Sequence, residues 1–84
     1  MNQAILDVFC KETGLTERNA RKLIKLAEKA AKEQTKEHNK EKHKAKEATD
    51  AVDAHAKVCG ITLDWSPGLY PVVLKDGRHI NLPD

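Results

Sequence analysis

Apolar and polar positions divide the chain into three stretches. From Asn2 to Glu12 the apolar Ile5, Leu6, Phe9 and Cys10 share one helical face, which predicts a short amphipathic helix closed by Thr13-Gly14. From Thr16 to Cys59 there is neither proline nor glycine. A three-four spacing runs through Ala20, Ile24, Ala27, Ala31, Gln34, His38, Glu41, Ala45, Ala48, Val52, His55 and Cys59. It predicts a long charged helix over 16–59 with a coiled-coil-like seam, small at its ends and polar in its middle. The same residues also fit a helical hairpin that bends at His38-Asn39-Lys40 and sets Ala27 and Ala31 against Ala45, Ala48 and Val52.

Past Gly60 the period becomes two. Ile61, Leu63 and Trp65 alternate with Thr62 and Asp64, Ser66-Pro67-Gly68 suits a turn, and Tyr70 to Leu74 reads as a strand. Asp76-Gly77 is a two-residue hairpin signal that places Val73 opposite Ile80 and Pro71 opposite Leu82. The expected architecture is α+β and mainly α, in one small domain over 1–84. It comprises a short helix and turn over 1–15, the long helix over 16–59 and a three-stranded β-meander over 60–84. The meander needs a cover, and the segment from Val52 to Val58 is the nearest apolar candidate. At the junction of the first two stretches Leu15 points inward, Thr16 is a natural N-cap, and Glu17 puts negative charge in the first helical turn.

Composition bears on how such a fold is completed. With 84 residues and only one Phe, one Trp and one Tyr, the core is small, and a single long helix cannot cover its own seam. A homodimer is the expectation, with Ile24, Ala27, Ala31, Ala45, Ala48 and Val52 at the dimer interface. Cys10 and Cys59 lie far apart in sequence, and no apolar run resembles a signal peptide or a membrane span. The expectation is a cytoplasmic protein with reduced thiols.

Charge is segregated. Residues 18–46 hold eleven Lys or Arg against four Glu, a net +7, whereas 1–17 carry −2 and 47–84 carry −3, for +2 overall. A second three-four series, Arg18, Lys22, Lys25, Lys29, Lys32, Lys36, Asn39, His43 and Lys46, falls opposite the seam and contains no acid. Solvating faces usually mix signs, so an all-basic stripe points to an anionic partner. On one straight helix it would run about 40 Å at 1.5 Å per residue, a little more than one turn of B-DNA. The expected contacts are duplex phosphates, held without choice of sequence. With no aromatic among these residues, stacking on single-stranded bases is not indicated.

Cys10, Gly14 four residues later, Leu15, Thr16, Ala20 and Leu23 resemble the generic helix-turn-helix pattern over residues 9–24. The resemblance implies a recognition helix starting at Thr16, with Glu17, Arg18, Asn19, Arg21 and Lys22 facing base edges and phosphates. The sequence departs from the pattern in having no further bracing helix ahead of Asn2. The helix after Thr16 also runs longer than recognition helices do.

No convergent nucleophile, acid–base pair or Gly-rich phosphate loop is visible, so no enzyme activity and no cofactor are expected. Cys10 with a histidine can be drawn as a dyad, but both cysteines occupy apolar helical positions. His55 and Cys59, four apart on a helix, can share a metal; as seam residues they read as packing, and no metal is expected. The leading expectation is a small dimeric nucleic-acid-binding accessory or regulatory protein, contacting DNA through Arg18, Arg21, Lys22, Lys25, Lys29, Lys32, Lys36 and Lys46. The alternative is an interaction module, an inhibitor or adaptor of the kind phages and mobile elements encode. It would engage a host protein through the helical seam or the C-terminal hairpin.

Overall fold

A computed structural model of the chain describes residues 2–35 and 42–83. Three helices, α1 (Gln3–Thr13), α2 (Glu17–Thr35) and α3 (Lys42–Cys59), precede three strands, β1 (Thr62–Asp64), β2 (Val72–Lys75) and β3 (Arg78–Asn81). The strands form one antiparallel sheet in the order β1-β2-β3.

Local signals set the ends of α1 and the entry to α2. The Asn2 side chain accepts from Ala4 N–H at 2.9 Å, and Gly14 closes α1 with φ 77°, its N–H donating to the Cys10 carbonyl at 2.8 Å. Only glycine enters this left-handed region without steric cost. Buried Thr13 bridges the corner: its hydroxyl donates to Phe9 O at 2.7 Å and accepts from Leu15 N–H at 3.3 Å. Leu15 is buried and Thr16 Oγ1 accepts from Asn19 N–H at 3.2 Å, the expected inward residue and N-cap.

The chain folds back between α2 and α3, so the continuous helix over 16–59 does not form and the hairpin does. Separated by 36 residues, Asn19 and His55 would stand about 54 Å apart on one straight helix at 1.5 Å per residue; His55 Nε2 lies 3.1 Å from Asn19 O. The bend expected at His38-Asn39-Lys40 falls outside the described residues. Alanines at the seam are the physical reason the hairpin packs: Ala20, Ala27, Ala30, Ala31, Ala48 and Ala56 are all buried, and such small side chains let backbones approach closely. Of the residues expected at a dimer interface, Ile24, Ala27, Ala31, Ala48 and Val52 are buried within the single chain and Ala45 is half-buried.

The core joins Leu6 and Phe9 of α1, Leu23 and Ile24 of α2, Val52 of α3, and Val73 and Ile80 of the sheet. Burying each such side chain contributes about 1.5–3 kcal/mol. Ile5, expected on the buried face of α1, is 46% exposed. The sheet has the expected register, with Val73 opposite Ile80, and a turn at Asp76 (φ 51°) and Gly77 (φ 77°). Both turn residues have positive φ, as a type I′ turn requires. The second strand starts at Val72 rather than Tyr70, and buried Pro71 stands just ahead of it, where a proline costs no ladder hydrogen bond. Val52 belongs to the core cluster that also holds Val73 and Ile80 of the sheet. Val58 does not: it is 84% exposed. Trp65 instead ties the end of β1 to α3, its indole N–H donating to Asp53 Oδ1 at 2.9 Å. Among the described residues no helix is long and apolar enough to cross a membrane.

Candidate nucleic-acid interface

The amphipathic pattern of α2 determines which side chains reach solvent. Its buried residues, Ala20, Leu23, Ile24, Ala27, Ala30 and Ala31, cover one side of the helix. The opposite side carries Arg18, Lys22, Lys25, Lys29 and Lys32, all exposed, at three-four spacing. From Arg18 to Lys32 they extend about 21 Å at 1.5 Å per residue. None of the five forms an ion pair among the described residues, so their ammonium and guanidinium groups are open to a ligand.

Arg21 is placed differently. Its Nε donates to Glu17 Oε1 at 3.0 Å and its Nη2 to Gln3 Oε1 at 3.0 Å, while Gln3 Nε2 reaches Glu17 Oε1 at 3.3 Å. The three side chains lock the start of α1 to the start of α2. The hydrogen bond from Arg21, and then that from Gln3, hold the Glu17 carboxyl below its ordinary value. Arg21 therefore enters the surface already engaged with an acid. Buried His55 fastens the same turn from α3 through Asn19 O, and Cys59 Sγ lies 3.6 Å from the same imidazole nitrogen.

The 40 Å rail drawn over Arg18 to Lys46 is broken by the hairpin. Lys46 is exposed, but it stands on α3 in a row with Asp50, Asp53 and Lys57, a face of mixed sign. Lys36 falls outside the described residues. The structure thus gathers Arg18, Lys22, Lys25, Lys29 and Lys32, holds Arg21 at their edge, and separates Lys46.

Other polar constellations resolve as structural. Asp64 Oδ1 accepts from Ser66 Oγ at 2.6 Å and from Ser66 N–H at 2.9 Å, and His79 Nε2 lies 3.3 Å from Asp64 Oδ2. The two Ser66 bonds hold the Asp64 carboxyl below its ordinary value, with His79 adding less. The carboxylate stands between serine and histidine, so His79 is not the base for Ser66; the group fastens the turn after β1 to β3. Sequence reasoning missed it, although aspartate two residues ahead of serine at a strand end is an Asx-turn signal. The Gln3–Arg21–Glu17 lock was missed too, and only its i,i+4 part was legible. Burial pushes the Cys10 thiol up, with Glu17 and Asp7 adding to the shift, which suits a packed thiol rather than a nucleophile. Among the described residues no three His, Cys, Asp or Glu side chains gather in a metal-holding group.

The chain was compared with protein-family models, curated proteins and solved structures, and no match was found in any of the three.

Proposed function

We propose that the protein binds nucleic acid, with duplex DNA as the first candidate, through the outer face of α2. The observation that carries this is the row of five exposed, unpaired basic side chains on one face of one helix. Two further features support it. The α1–α2 corner, with left-handed Gly14, buried Leu15 and capping Thr16, presents the first turn of α2 as a helix-turn-helix unit would. That turn is also braced from two sides, by Gln3 with Glu17 and by His55, which lowers the entropic cost of holding a phosphate.

The mode of binding is phosphate neutralisation by lysine point charges, with Arg18 and Lys22 nearest the groove and Lys25, Lys29 and Lys32 along the backbone. On this reading the protein is an accessory or regulatory nucleic-acid binder of the cytoplasm rather than an enzyme. Replacing Lys25, Lys29 and Lys32 together by Glu tests the proposal in a fluorescence-anisotropy titration of labelled duplex. Binding should be lost while the helical circular-dichroism signal is kept, because none of the three touches the core. Undiminished binding by the triple variant would sink it.

A further inference from the structure

A second surface, which meets the basic face at Glu28, has the features of a docking site for another protein. Of the five large apolar side chains left exposed among the described residues, Ile5 (46%), Val8 (56%), Leu69 (42%) and Tyr70 (49%) border two neighbouring grooves; Val58 lies at neither. One groove, of about 450 Å³, runs between α1 and the end of β3, past Ile5 and Val8. The other, of about 430 Å³, runs between α2 and the connection from β1 to β2, past Leu69 and Tyr70. The segment Asn81-Leu82-Pro83 lines both, so they flank one ridge and form one surface. Each volume falls within the range of about 300–1,000 Å³ typical of ligand pockets.

Charge identifies the occupant. Among the described residues, the charged ones lining these grooves are Glu12 in the first and Glu28 in the second, with no Lys, Arg or His in either. Nucleic acid is repelled by that pair. A second copy fits poorly through either this surface or the basic face of α2. Patch against patch brings Glu12 and Glu28 of both copies into an apolar interface with no base to meet them. Patch against the basic face of α2 meets Arg18, Lys22, Lys25, Lys29 and Lys32, which offer no apolar side chain. We propose that the surface docks a short segment of a different protein, one that presents apolar side chains for the two grooves beside lysine or arginine for Glu12 and Glu28. Tyr70 at the rim is the residue type most suited to anchor such a contact. The inference does not rest on nucleic-acid binding, since the two faces share no residue.

A phage-displayed random peptide library, selected against the whole chain, tests it. Enriched peptides should combine apolar residues with Lys or Arg. Their affinity should fall about tenfold or more, roughly 1.4 kcal/mol, in Val8→Glu and in Glu12→Lys with Glu28→Lys. Affinity should not fall in Lys25→Glu with Lys29→Glu and Lys32→Glu, which add negative charge beside Glu28. Val8 is more than half exposed, so its variant keeps the fold; Tyr70→Ala gives a milder check with the same direction. Four outcomes would overturn the proposal: no enrichment over an unrelated target, enrichment of acidic peptides, binding lost in the lysine variants instead, or a sedimentation-detected dimer that Val8→Glu dissolves. The last would make a second copy the occupant.

Discussion

His55 Nε2 lies 3.1 Å from the backbone carbonyl oxygen of Asn19, which joins the end of α3 to the beginning of α2. A carbonyl only accepts, so the imidazole donates through Nε2–H, and that tautomer is fixed by the contact. The bond closes the helical hairpin at the end remote from its bend. Replacing His55 by Ala removes the donor and opens space beside Val52 and Ala56. The free energy of unfolding should fall by about 1–3 kcal/mol in urea denaturation.

The seam gives a sharper test of the hairpin. Ala27 has no exposed surface. Ala27→Leu forces a larger side chain between packed helices and should cost about 1–3 kcal/mol. Light scattering on the same variant and on the unaltered chain should report a single-chain mass. A seam shared between copies would instead give a dimer whose dissociation follows the substitution.

The corner between α1 and α2 depends on Gly14. At φ 77° an added Cβ is strained, and it would also stand 3.1 Å from Lys75 Nζ, whose flexible end can move aside. The backbone cost then remains, and Gly14→Ala should lower stability by about 1–2 kcal/mol. Thermal unfolding followed by circular dichroism measures it.

Much of this fold was legible in the sequence, because its signals are local. Gly14, Thr16, Gly60 and Asp76-Gly77 act through backbone conformation within a few residues, and they mark element ends wherever the chain goes. The choice between one helix and a hairpin was not local. Ala20, Ile24, Ala27, Ala48 and Val52 have the same spacing whether their partner is another chain or the other arm of the same one. The expected basic stripe followed from that ambiguity: its α2 half survives as one face, while Lys46 goes to the other arm. The apolar surface around Ile5, Val8 and Tyr70 was invisible because four separate segments build it.

The two depressed carboxylates make a titration prediction. Glu17 is held down first by the hydrogen bond from Arg21, and Asp64 first by the hydroxyl of Ser66. A folded-state value below the unfolded one stabilises the fold above the ordinary carboxylate range, and the contribution is lost as pH falls through the depressed value. In carbon-detected NMR titrations, Arg21→Ala should move the Glu17 midpoint upward, and Ser66→Ala should do the same for Asp64. The Glu17 side chain is half exposed, so its gain in stability is small.

The salt dependence of duplex binding tests the central claim most directly. Five unpaired basic residues on α2 correspond to neutralising about five phosphates, so log K against log salt should fall with a slope of about −4 to −5. Anisotropy titrations over a series of salt concentrations give that slope, and Lys25→Glu with Lys29→Glu and Lys32→Glu should abolish the binding that produces it. A flat salt response, or no binding at low salt, would contradict the account and leave the outer face of α2 as a solubilising surface.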